Sequence, residues 1–319
     1  MLQALARRPA PMTRARASLL LYGSFAAVYF IWGTSFAVTK MMVASLPPYL
    51  AGGSRFLCAG LLLLAIARWR GQQVPRARAE WRHIGSMALL HGVLSSGVNV
   101  IAMRHVASNQ SALLNASGAL WITLLGTVGR SPHPLTAPVA LGVALGFAGV
   151  ATLLWPHGGF TLAHLGWQVV VLGAAFSWAL GTHYFRSFRT ATPTLMFLAL
   201  QMLVSGTIMC ATGLLLGEAA RWQWDPGGLF ALGYLVIFNS AVAYTAYGYL
   251  MSHTSPARLS TYAYVNPAIA ALVGWLTLGE TMSSLQVAGM AVILAGVVLV
   301  SMPTRTPAPP DETPAEPVG

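Results

Sequence analysis

Apolar residues fall into long runs along this chain, and polar residues gather between them. A helix crosses the hydrocarbon of a bilayer in about 20 mostly apolar residues. Runs of that length predict spans near 19–39, 48–67, 84–103, 109–129, 136–154, 165–185, 194–216, 228–250, 256–278 and 284–302. The connections are too short to hold a separate soluble domain. The third run is the most interrupted. His91, Ser95, Ser96 and Asn99 lie inside it, which predicts a face turned toward protein or water. The expected fold class is an all-α polytopic membrane protein of ten transmembrane helices.

Composition supports a lipid environment. Of 319 residues, 56% are apolar and 8% charged, against about 25% charged in a soluble domain. Mean hydropathy is +0.64. The formal charge of +11 would suit nucleic acid if it formed one stripe. The basic residues instead sit in short clusters between apolar runs, as cytoplasmic loops require. With the N-terminus inside, Arg7, Arg8, Arg68, Arg70, Arg130 and nine further arginines face the cytoplasm, and Lys40, Arg104 and Arg221 lie outside. The expected location is therefore the inner membrane of the cell, with both termini in the cytoplasm. Residues 1–17 form a basic segment, and 303–319, rich in Pro, Thr and acids, read as a disordered tail. The first apolar run is too long for a signal-peptide core and reads as an uncleaved span. Cys58 and Cys210 lie inside apolar runs, with no metal-ligand spacing.

The chain repeats internally. A shift of 146 residues matches Phe30 with Phe176, Trp32 with Trp178, Lys40 with Arg186, Pro47 with Pro193 and Gly60 with Gly206. Near the end of each half, a shift of 147 matches Gly142 with Gly289, Gly149 with Gly296 and Val150 with Val297. The halves are 18–155 and 165–302, joined by a loop at 156–164 that includes Pro156-His157-Gly158-Gly159. Five spans is an odd number, so the second half enters from the opposite side. This is the inverted repeat of secondary transporters.

Polar and aromatic residues within spans are the candidate site. Trp32 and Trp178 are repeat-matched and lie away from the interfacial belts; they are core packing or a pair of cavity walls. Tyr244 and Tyr247 share one helix face, Tyr262 and Asn266 another, and their polar atoms need partners or a polar cavity. Asn99, Asn115 and Trp121 are the first-half candidates. Asn266-Pro267 removes a helical bond and is a candidate helix break. Arg55, inside the second span, either snorkels, binds a substrate carboxylate or pairs with Glu280. Lys40 reads as an interfacial anchor or a gate, and Glu280 as the polar end of span nine. Gly142-x-x-x-Gly146 and Ala291-x-x-x-Ala295 read as packing surfaces that brace spans five and ten. None of the seven carboxylates is mid-membrane, so proton coupling would need His91, His183 or Glu280, and facilitated efflux or exchange is the simpler expectation.

Several stretches resemble the EamA-type transporters of the drug/metabolite transporter superfamily. They are Phe30-Ile31-Trp32-Gly33-Thr34-Ser35-Phe36-Ala37-Val38-Thr39-Lys40, Arg55-Phe56, Ser177-Trp178-Ala179, Ser255-Pro256-Ala257, Tyr262-Ala263-Tyr264-Val265-Asn266-Pro267 and Leu278-Gly279-Glu280. Within that family the chain is most similar to inner-membrane permeases of unassigned substrate. The resemblance implies ten helices in two inverted halves, a central cavity and export of small metabolites or drugs. The first half departs from it, with Ser117 at the position matching Pro267 and Arg130 at that of Glu280.

The expected function is a secondary transporter of small organic solutes, such as amino acids or amphipathic compounds, working by alternating access. Trp32, Trp178, Tyr247 and Tyr262 would supply apolar walls, and Arg55, Asn115 and Asn266 polar ends. The partners expected are a small-molecule substrate and the bilayer, with no nucleic acid, no cofactor and no metal. A monomer suffices, and an oligomer is compatible. A lipid flippase or channel is the alternative. A membrane-embedded lipid-modifying enzyme is less favoured, because no cluster of carboxylates, His or Cys suits such chemistry.

Overall fold

The computed structural model describes residues 14–128, 136–154, 162–254, 256–259 and 261–301. Arg7, Arg8, Arg130, the Pro156–Gly159 stretch and the tail from Pro303 lie outside these. All regular structure among the described residues is helical. The helices are α1 (Arg14–Ser45), α2 (Pro48–Trp69), α3 (Arg78–Ala102), α4 (Ser108–Ala116), α5 (Gly118–Leu125), α6 (Ala137–Leu154), α7 (Leu162–Ser187), α8 (Thr194–Leu215), α9 (Pro226–His253), α10 (Tyr262–Leu278) and α11 (Ser284–Ser301). Six of them, α1, α2, α3, α7, α8 and α9, are long and apolar enough to cross a membrane. Shorter apolar helices lie at three of the other expected positions, in α6, α10 and α11, and the fourth is divided between α4 and α5.

Local chemistry sets the boundaries. Pro48 opens α2 at its first turn, where no helical N–H is lost. Asp225 caps α9 by accepting from the Gly228 amide at 2.7 Å, with Pro226 following it. The expected fourth span is split at Ser117, whose hydroxyl donates to the Leu114 carbonyl at 2.6 Å. Of the two readings of Asn266-Pro267, a break or a proline within a continuing helix, the second holds: α10 runs through Pro267. A single turn, Pro256–Leu259, precedes α10.

Two segments depart from α-helical geometry, and the repeat matches them. Ala88–Gly97 in α3 and Leu235–Ala243 in α9 are π-helical. Both lie in the third helix of their half, 147 residues apart at their starts. Widened turns of this kind are uncommon and concentrate at functional sites.

The two most extensive helix pairs join repeat-equivalent elements, α2 with α8 and α6 with α11. Gly53 lies against Gly206 and Cys210, Gly60 against Leu203, and Gly213 against Leu50. One number rises as the other falls, so α2 and α8 are antiparallel. In the second pair Gly142 lies against Gly296 and Leu299, and Gly149 against Gly289 and Ile293, again antiparallel. The brace on α11 lies on a different face from the expected one. Ala291 and Ala295 face outward, and Gly289, Ile293 and Gly296 carry the contact because they share one helix face. Phe30 and Phe176 also face outward, at 64% and 38% exposure, while the repeat-matched Trp32 turns inward.

Two carboxylates clasp the halves at opposite ends. Glu80, beginning α3, accepts from the Thr190 and Thr192 hydroxyls at 2.5 and 2.6 Å and from the Ala191 amide at 3.1 Å. Asp225, beginning α9, accepts from the Ser45 hydroxyl at 3.0 Å. The Gly228 amide and Ser45 hold the Asp225 carboxyl below the usual aspartate range. A depressed carboxylate stabilises the fold above its unfolded-state pKa, and that contribution disappears as pH falls through the lower folded value. Melting in nanodiscs from neutral to acid pH should show this loss, and Asp225→Asn should remove that part of it.

Candidate functional site

Helices α1, α2, α3, α4, α7, α9 and α10 enclose a cavity of about 130 Å³. At about 10–15 Å³ for each water-sized occupant, this is room for a small organic molecule rather than a single water. One side is aromatic. Trp32, 8% exposed, is its hub, with ring centroids 5.4 Å from Trp178, 5.5 Å from Tyr262 and 5.7 Å from Tyr244. The rings meet edge to face, the arrangement their quadrupoles favour. Trp178 donates its indole N–H to the Tyr262 hydroxyl at 3.2 Å, fixing α7 against α10.

The other side is polar. Ser95, Ser96 and Asn99 of α3 and Asn239 and Tyr244 of α9 lie in or beside the two π-helical segments. Ser96 and the Tyr244 hydroxyl hydrogen bond at 2.5 Å across the halves. Asn99 and Asn115 exchange amide bonds of 3.2 and 2.8 Å, and Asn115 also donates to the Ser111 carbonyl. These bonds hold the split fourth span against α3. Arg55 and Asn266 complete the lining.

Six of the seven expected site residues therefore share this cavity: Trp32, Arg55, Asn115, Trp178, Tyr262 and Asn266. Tyr247 does not line it. Its ring packs 4.9 Å from Trp32 and 5.2 Å from Trp178, at 1% exposure, and its hydroxyl meets Thr182 at 3.3 Å. Tyr247 is thus a floor beneath the tryptophans. Trp121 also lies elsewhere, between Phe147 and Phe176. Beyond the floor is a small void of about 20 Å³, lined by Met87, His91, Thr194, Gln201 and Met251 among others. His91 stacks on Trp178 at 4.0 Å and bonds its carbonyl oxygen at 3.0 Å. The large cavity extends toward the end holding Thr39 and Met103, and the small void toward the end holding Met87 and Met251.

Lys40 and Glu280 belong to the frame. Lys40 donates to the Met103 and Val106 carbonyls at 2.6 and 2.9 Å. Gly279 ends α10 in the left-handed region at φ 65°, which favours glycine, and turns Glu280 back. The Glu280 carboxylate then accepts from the Ser108 amide and hydroxyl and the Asn109 amide, at 2.7, 2.8 and 3.0 Å. It caps α4, where the helix dipole favours an anion. Glu280→Ala should lower unfolding stability by about 1–3 kcal/mol, the scale of a lost cap with unsatisfied donors. Thermal melting checks this, with Glu280→Gln expected to lose less.

The EamA-like transporter family model matches the chain twice, at residues 19–155 and 165–302. The inner membrane transporter YedA of Escherichia coli K12, described as uncharacterized, is 34% identical over 91% of this chain and 93% of its own. The uncharacterized transporter YvbV of Bacillus subtilis is 25% identical over 92% and 94%. A solved structure shares the fold with TM-score 0.62 at 18% identity, covering 90% of this chain and 96% of that one. A repeated transporter module, packed around a cavity and carried on membrane-length apolar helices, has one consistent reading: the chain belongs to the EamA-like transporter family and is a multi-pass membrane transporter, not an enzyme.

Proposed function

We propose that the chain exports small organic solutes across the inner membrane by alternating access, as facilitated efflux or exchange. The observation that carries this is the antiparallel pairing of repeat-equivalent helices around a large cavity with a small counterpart beyond an aromatic floor. In this reading ten spans form two inverted fives, with both termini cytoplasmic. The cavity at the Thr39 end is the outward-facing site. Trp32, Trp178 and Tyr262 wall the solute, Arg55, Asn115 and Asn266 orient it, and Tyr247 closes the cytoplasmic path. Rocking of the halves opens the small void and closes the large one. The Glu80 and Asp225 clasps would break and re-form in turn. The four carboxylates among the described residues all accept capping or clasping bonds, which favours a solute gradient over proton coupling.

Counterflow in proteoliposomes with a mixed metabolite panel tests the proposal. Trans-stimulated uptake of at least one solute class, unchanged by a pH gradient, is expected. Lipid scrambling without counterflow would instead favour a flippase.

A further inference from the structure

Among the described residues Arg55 is a buried cation without an anion. It is 3% exposed and lines the cavity. Its guanidinium carbon lies 4.5 Å from the centroid of the Phe56 ring. A ring face attracts the charge but accepts none of the in-plane N–H bonds that guanidinium offers. The Arg55 Nε is buried with no hydrogen-bond partner. Among the described residues no carboxylate pairs with it. Glu80 is held by Thr190 and Thr192, Glu218 by the Leu50 amide, Asp225 by Ser45 and Gly228, and Glu280 by Ser108 and Asn109. The expected alternative of an Arg55–Glu280 pair is therefore absent.

The repeat does not balance the charge either. The position matching Arg55 is Gln201, a neutral residue on the far side of the aromatic floor. Lys40 donates hydrogen bonds to main-chain carbonyls. An uncompensated guanidinium in a low-dielectric interior is costly, and intramembrane charges mark ligand pathways. A second orphan lies on the same cavity: the Asn266 Oδ1 is a buried acceptor with no donor.

We propose, building on the reading of this cavity as a solute site, that it selects organic monoanions through Arg55. A carboxylate takes the guanidinium fork, for which arginine geometry is suited. A hydrogen-bond donor on the same molecule meets the Asn266 Oδ1. An apolar or aromatic body lies against Trp32 and Trp178. One fixed positive charge, with no acidic residue on the lining, matches one negative charge and disfavours cations.

Calorimetry on the full chain in nanodiscs tests this with three probes of one shape: 3-phenylpropionate, its uncharged amide and 3-phenylpropylamine. The acid is expected to bind about tenfold or more tighter than the amide, the scale of a charge-assisted bond, with the amine weakest. Arg55→Gln should bring the acid to the level of the amide, with thermal melting of the variant reporting that it is folded. Arg55→Lys should keep part of the preference, because lysine supplies the charge without the fork. If Arg55→Gln does not fold, the three-probe ranking on the unaltered chain still decides. Equal binding of acid and amide, tightest binding of the amine, or binding of none at millimolar concentration overturns the proposal. Acid selectivity without counterflow would remove the transport mechanism and leave the anion site. Counterflow of neutral or cationic solutes with no preference for the acid would do the reverse.

Discussion

Gly206→Leu should prevent the two halves from packing. A Cβ at Gly206 would lie 2.8 Å from the Gly53 carbonyl oxygen and 2.8 Å from the Leu57 amide nitrogen. Both are main-chain atoms of α2, which cannot swing aside like a flexible side chain. Overpacking in a well-filled core typically costs about 1–3 kcal/mol, and leucine here must separate two helices along their length. The expected result is loss of the monodisperse folded species in detergent. Gly206→Ala should show a smaller fall in melting temperature. Gly173 is the control: nothing lies within 4 Å of a Cβ there, and it faces outward on α7. Gly173→Ala should be neutral or stabilising, by up to about 1 kcal/mol from helix propensity. Equal tolerance at both positions would contradict close contact between α2 and α8.

Trp32→Ala should have the largest effect on transport. It removes the ring that touches Trp178, Tyr244, Tyr247 and Tyr262 together. Truncating a buried aromatic residue costs about 3–5 kcal/mol, so reduced stability alone would explain a weak result. Trp121→Ala separates the two effects. Trp121 also packs between rings but lies away from the cavity. Normalised to folded protein, counterflow should fall more than about tenfold for Trp32→Ala, because a solute then has no aromatic wall between α1 and α7. It should stay near normal for Trp121→Ala. Equal falls for the two variants would mean that the aromatic cluster only stabilises the fold.

Hydropathy and the repeat make the helical architecture legible without coordinates, because lipid demands long apolar runs and a duplicated half keeps its Trp, Pro and Gly positions. The polar residues of the cavity are legible for the same reason: Asn99, Asn115 and Asn266 need partners wherever helices meet. Hydrogen-bond register is not legible. Nothing in the apolar pattern of 88–97 or 235–243 distinguishes a π-helical segment from an α-helical one, yet these segments carry Ser95, Ser96 and Asn239. Tyr244 and Tyr247 share a helix face, so spacing alone does not say which lines the cavity and which lies beneath Trp32. Ala291-x-x-x-Ala295 shows a related limit. Two small residues four apart define a stripe but not the side on which a neighbour packs, and on α11 the glycines of the adjacent stripe take the contact. Glu280 reads as a turn residue in the sequence, whereas its role as a cap for α4 depends on a partner 172 positions away.

Alternating access requires that one cavity be exposed to the two sides of the membrane in turn. Single cysteines at Thr39, on the large cavity, and Met251, on the small void, test it most directly. They would be placed in a Cys58→Ser, Cys210→Ser background and labelled in oriented vesicles with a membrane-impermeant maleimide. Labelling of Thr39→Cys from outside alone and of Met251→Cys from the cytoplasmic side alone is expected, with a transported solute changing the two rates in opposite directions. Labelling of either cysteine from both sides, or rates that rise and fall together, would contradict alternating access.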